Sequence, residues 1–123
     1  MLGASPVVAF VATQDPDRAR HFYSEIVGLT IVSDDPFALV YAVGAGHLRI
    51  QKVGAFTPQP FTALGWQVAD IEAIVAALGA RSVAFERYPG MDQDALGIWT
   101  TPSGARVAWF KDPDGNLLSL TAT

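Results

Sequence analysis

Apolar residues in this chain come in short runs with two spacings, one suited to strands and one to helices. The run Val-Val-Ala-Phe-Val-Ala within residues 6–13 is β-branched and apolar and is closed by Gln14-Asp15-Pro16, which predicts a buried strand. A helix is expected over residues 16–27. Asp15 suits the N-cap, Pro16 the first helical position, Asp17 the positive end of the helix dipole, and Gly28 a left-handed closing residue. Ala19, Phe22, Tyr23 and Ile26 recur at i, i+3, i+4, i+7, so one face packs while Arg18, Arg20, His21 and Glu25 meet water. Strands follow at 29–33, 37–43 and 47–53, separated by Asp34-Asp35-Pro36 and Gly44-Ala45-Gly46.

Residues 54–60 carry a glycine and two prolines and form a connector, after which the same order begins again. Residues 62–68 read as a strand. Asp70 caps a second helix in which Ile71, Ile74, Val75 and Leu78 repeat the helical spacing until Gly79 stops it. Strands at 81–87, 104–111 and 116–121 complete this half, with 98–101 as a short extra strand, and Asp112-Pro113-Asp114-Gly115 is a strong turn signal. The expectation is one α+β domain over residues 1–123, made of two βαβββ modules at 6–53 and 62–122. Neither module can cover both faces of its sheet alone, so curved mixed sheets around a concave cavity, with helices on the outer faces, are predicted.

Composition narrows the function. Half of the 123 residues are hydrophobic and 16% are charged, which suits a packed core with apolar surface left for a cavity or a subunit seam. The net charge is -4 and the eight Lys and Arg residues are scattered singly, so nucleic acid is excluded as a partner. The absence of cysteine removes disulfides, thiolate metal sites and a Cys nucleophile. The N-terminal residues have no basic segment, and the apolar run 7–12 is too short for a signal core or a membrane span; a soluble cytoplasmic protein without a membrane partner is expected. Gly-x-Gly-x-x-Gly, P-loop and Gly-x-Ser-x-Gly patterns are missing, which leaves dinucleotide binding, nucleotide hydrolysis and serine hydrolase chemistry without support.

Two local patterns carry a resemblance. Asp15, Phe22-Tyr23 and Gly28-Leu29 in the first half, and Phe110-Lys111-Asp112-Pro113-Asp114-Gly115-Asn116 before the last strand, together resemble the vicinal oxygen chelate superfamily, which includes glyoxalase I, bleomycin-resistance proteins and extradiol dioxygenases. The resemblance covers residues 6–122 and implies the duplicated fold, but it leaves function open. It also implies four positions at which metal-dependent members carry His, Glu or Gln ligands. Here these fall on Val8, Gln51, Ala63 and Ser119. One neutral amide and one hydroxyl offer too little charge for a divalent cation, so no metal and no other cofactor is expected.

Two readings remain. The first is a metal-independent binding protein that sequesters a small aromatic or amphipathic molecule, its cavity lined by Phe10, Tyr41, Arg49, Gln51, Gln67, Trp99, Trp109 and Ser119 and completed by homodimerisation. Aromatics supply stacking surface, and Trp99 and Trp109 suit either the pocket or a dimer seam. Trp66 is expected on the helix side. Arg49, amid the apolar Leu48-Arg49-Ile50, needs a carboxylate, an aromatic face or water; a bound anion and a plain salt bridge are the two readings. The rival is a glyoxalase-like enzyme of lyase, isomerase or dioxygenase type, with Glu86, Asp94 or His47 as acid and base or with a metal bound elsewhere. His21 is expected on the solvated helix face.

Overall fold

The computed structural model describes residues 1–123, which divide into two compact units, Met1–Pro58 and Gln59–Thr123. In the first, strand β1 (Val8–Thr13) leads into helix α1 (Pro16–His21), which continues as a π-helical stretch over Phe22–Ile26, and then strands β2 (Thr30–Asp34), β3 (Ala38–Val43) and β4 (Gly46–Lys52) follow. The second holds β5 (Thr62–Gln67), α2 (Ile71–Ala80), β6 (Trp99–Thr100), β7 (Arg106–Lys111) and β8 (Leu117–Ala122). Each unit is therefore an α+β module with a four-stranded mixed sheet, in the orders β1-β4-β3-β2 and β5-β8-β7-β6. The parallel pairs are β1 with β4 and β5 with β8; every other pair is antiparallel. No helix is long and apolar enough to cross a membrane.

Both helix starts follow from their caps. Asp15 accepts a hydrogen bond from Arg18 N at 3.2 Å, and Asp70 accepts one from Ala73 N at 3.1 Å, each satisfying an amide that the first helical turn leaves open. The first helix departs from the expected single α-helix over 16–27. Val27 N donates to Phe22 O at 2.9 Å, a five-residue step that widens the last turn where Phe22 and Tyr23 both enter the core. Gly28, at φ +85°, then closes it as anticipated. In the second unit Gly79 does not stop the helix, which runs on to Ala80. The left-handed residue is Ser82 at φ 69°, with Ser82 N bonded to Gly79 O and Val83 N to Leu78 O, a pair of bonds that closes helix ends.

The expected strand at 81–87 does not form. Only Phe85 pairs with β7, opposite Phe110, and Glu86 N donates to Trp109 O at 2.8 Å; Trp99–Thr100 takes the rest of the same edge, opposite Arg106 and Val107. Residues 87–98 loop out between those two contacts, with Gln93 alone bridging back to Trp99. Their excursion is held from within: the Gln93 side chain accepts from Tyr88 N and donates to Glu86 O and Gly97 O, and Asp94 accepts from Leu96 N and Ile98 N. Hydrogen bonds of this density make an ordered Ω-type loop. The Asp112-Pro113-Asp114-Gly115 turn matches its expectation, with the buried Asp112 carboxylate accepting from Asp114 N, Asn116 N and Asn116 Nδ2.

Strand alternation sorts each sheet into a helix-facing and an open face. In the first unit Leu39, Tyr41, Leu48 and Ile50 are fully buried on the helix-facing side, each aliphatic side chain contributing about 1.5–3 kcal/mol of hydrophobic stabilisation. In the second, Leu118, Leu120, Ala108 and Phe110 play this part, and Trp66 stacks on Phe110 with ring centroids 6.4 Å apart, as expected for a helix-side residue.

Candidate functional site

On the open face of the first sheet, β4 presents His47, Arg49 and Gln51. Their cross-strand partners on β1 are Val8, Phe10 and Ala12, and on β3 they are Ala42, Val40 and Ala38. Phe10 remains 52% exposed, so an aromatic ring beside Arg49 is available to a ligand. Phe10, Arg49 and Gln51 thus share one surface.

Tyr41 does not join them. Its partner across the hairpin is Leu48, which puts it on the helix-facing side, where it is fully buried. Its ring lies 6.1 Å from that of Tyr23, and its hydroxyl pairs with Ser24 Oγ at 2.8 Å and donates to Arg20 O at 3.4 Å. Tyr41 therefore belongs to the core and braces the widened helical turn. The signal was present in the sequence: a two-residue turn at Gly44-Ala45 pairs Val43 with Gly46 and hence Tyr41 with Leu48.

The open face of the second sheet holds an aromatic row. Ser119 on β8 sits between Gly65 on β5 and Trp109 on β7. Trp109 stacks on Trp99 at 6.2 Å, and Tyr88, from the loop, meets Trp109 edge-on at 5.5 Å. All three rings are partly exposed. Ser119 is 9% exposed, and its hydroxyl occupies the space over Gly65 where a side chain would otherwise stand. Gln67, two residues along β5 from Gly65, faces the same way and donates from Nε2 to Thr123 Oγ1 at 3.3 Å. Gln67, Trp99, Trp109 and Ser119 thus lie on one surface. Tyr88 escaped the sequence reading because it lies in an aperiodic loop. Burial, followed by the nearby Glu86 charge, holds its phenol above the ordinary value, so it stays a neutral donor.

The carboxylates proposed as acid and base have structural duties. Asp94 accepts two backbone amides of the loop, and Glu86 lies 3.4 Å from Lys111 Nζ. His47 is exposed on β4, and His21 is exposed on the helix as expected. His21 also borders a shallow groove of about 390 Å³ with Asp17, Arg20, Ser24, Glu25 and Ile31, but Arg20 there is already paired with Asp34 at 2.7 Å.

The four positions that the resemblance assigns to metal ligands do not fit a cation. Val8 and Gln51 stand at different levels of the β1–β4 pair, opposite His47 and Ala12, while Ala63 and Ser119 offer one methyl and one hydroxyl. No group of three or more His, Cys, Asp or Glu side chains is placed to hold a metal ion. A divalent ion would lack the anionic or imidazole donors it needs.

Solved structures share this architecture. Lactoylglutathione lyase from Agrobacterium tumefaciens superposes with a TM-score of 0.77 at 17% identity, covering 97% of this chain and 93% of that one. A superfamily member from Sphaerobacter thermophilus DSM 20745 gives 0.76 at 24% identity, covering 100% of both chains. TnmS3, an antibiotic binding protein from Streptomyces sp. CB03234, gives 0.73 at 25% identity, covering 99% of this chain and 98% of that one. No curated protein matches the sequence. Residues 5–120 match the sequence profile of the Glyoxalase/Bleomycin resistance protein/Dioxygenase superfamily, nearly the whole chain, and the chain belongs to that superfamily.

Proposed function

We propose that this chain is a binding protein that sequesters a small planar aromatic or amphipathic molecule, with the open faces of its sheets as the contact surface. The observation that carries the reading is the row Trp99, Trp109 and Tyr88 beside the Ser119 hydroxyl: three part-exposed rings, the outer two packed on Trp109, offer stacking area with few rotamers to freeze. The likeness to an antibiotic binding protein over almost its whole length supports the same reading. So do the side chains at the four ligand positions, which favour binding without a metal over metal-assisted catalysis.

Tryptophan emission tests the proposal. A planar aromatic compound should quench it saturably, and Trp109→Leu should weaken binding by about 1–3 kcal/mol, the scale of stacking on an aromatic side chain. Unchanged affinity in that variant refutes the stacking surface. Elemental analysis separates the enzyme reading: one tightly held Zn, Ni, Fe or Mn per chain, removed by chelator with loss of an activity, would favour it. We also read the protein as a homodimer, because Val32 and Phe37 stay exposed on the first unit. Sedimentation as a monomer at micromolar concentration would oppose this.

A further inference from the structure

β4 is an interior strand, yet the residues on its open face are polar: His47, Arg49 and Gln51. Side chains two apart on a strand are separated by about 6.5–7 Å, so the three form a row along the sheet. Apolar side chains flank Arg49 on both ladders, Phe10 across the β1 pair and Val40 across the β3 pair. The flanks of His47 and Gln51 are aliphatic too, so no carboxylate stands beside this row on either neighbouring strand.

Arg49 has no part in any of the ion pairs, which join Arg20 and Lys52 to Asp34, Arg106 to Glu72 and Asp94, and Lys111 to Glu86. Asp35 senses the Arg49 charge but stands beyond the 4.0 Å of an ion pair, and its Oδ1 accepts from Phe37 N at 2.7 Å and Ala38 N at 2.9 Å. The structural ion pair that the sequence left open for Arg49 is therefore not formed. Arg49 is part-exposed, its neighbours on both ladders are apolar and its planar fork takes part in no ion pair, so the fork is open to an anion.

Building on the binding reading above, we propose that the open face of the first sheet recognises an organic carboxylate. The carboxylate pairs with Arg49, and the Gln51 amide and His47 ring offer hydrogen bonds on either side. The aryl or alkyl body of the same molecule lies on Phe10 and Val8, which are 52% and 46% exposed. A cation set in an apolar surface selects an amphipathic anion over both an inorganic ion, which gains nothing from Phe10, and a neutral aromatic, which leaves the guanidinium unpaired.

Calorimetric titration with 2-naphthoate and with its neutral counterpart 2-naphthamide tests this. The protein should bind the carboxylate at least about tenfold more tightly, the effect of one charge-assisted hydrogen bond. Added salt should narrow the gap. Arg49→Met should bring the two compounds within about twofold of each other, and Arg49→Lys should keep part of the preference because the charge stays while the fork is lost. Should Arg49→Met fail to fold, the preference of the unaltered protein and the Arg49→Lys result decide. Equal binding of the two compounds overturns the carboxylate site and leaves the binding reading standing, and a preference that survives Arg49→Met overturns it as well. Binding of neither compound overturns both.

Discussion

Replacing Tyr41 by Phe separates a core residue from a binding residue. The hydroxyl is fully buried and makes two hydrogen bonds, one of 2.8 Å with Ser24 Oγ and a longer one of 3.4 Å to Arg20 O. The ring contact with Tyr23 survives the substitution, so the loss is confined to polar terms. A net hydrogen bond contributes about 0.5–1.5 kcal/mol, and an acceptor left without its donor adds to that, so a cost of about 1–2 kcal/mol is expected. For a domain of this size that lowers the melting temperature by about 3–8 °C. Tyr41→Ala, which also empties the ring's volume, should cost about 3–5 kcal/mol. Thermal melts give the stability change, and the naphthoate titration gives affinity on the same samples. Tyr41→Phe should melt earlier and bind as the parent does. A variant of unchanged stability whose ligand affinity falls would place Tyr41 on the open face and refute the register derived for β3.

Two further outcomes follow from geometry and charge. A methyl group at Gly65 would collide with Ser119 Oγ, so Gly65→Ala should destabilise by about 1–3 kcal/mol and Ser119→Ala should restore part of that loss; equal losses with and without Ser119→Ala would dismiss the collision. Asp34 is held below its ordinary value of 3.8 by the Lys52 hydrogen bond first, with Arg20 assisting, and Asp35 by the amides of Phe37 and Ala38. Because the folded values are depressed, this stabilisation is complete above the unfolded carboxylate range and is lost as pH falls through the folded values. Stability should therefore drop below about pH 4, less steeply in Asp34→Asn, and an identical acid profile in that variant would refute the contribution.

Features set within a few residues were legible in the sequence. Asp15 and Asp70 cap as expected, Gly28 takes its left-handed conformation, and the Asp112 turn closes on its own carboxylate, because each depends on bonds within one turn of chain. The face taken by Tyr41 required counting through the hairpin. The π turn at Phe22–Ile26 was invisible, since α and π spacing differ only once Phe22 and Tyr23 are packed. Residues 81–87 have strand-like composition, but Ser82 is spent on closing α2 and the loop returns Trp99–Thr100 to the same edge, a competition no local pattern records. Of the proposed contact residues, Phe10, Arg49 and Gln51 fall on one sheet and Gln67, Trp99, Trp109 and Ser119 on the other, because period-two alternation carries each side chain to a definite face.

The closing pair of each module has a kinetic consequence. β3 and β4 meet across a two-residue turn and can zip within microseconds, whereas β1 joins β4 in parallel only after the helix and two further strands have been laid down. The same order holds for β5 and β8. Loop closure delays these parallel contacts, so the first strand of each module is the last to lock into its sheet. Until it does, β4 and β8 each expose an unpaired edge of matching register, and at high concentration the first strand of another molecule competes for that edge. Refolding yield should therefore fall with protein concentration through strand exchange, a hazard that comes from the order in which the chain is wound rather than from the stability of the finished fold.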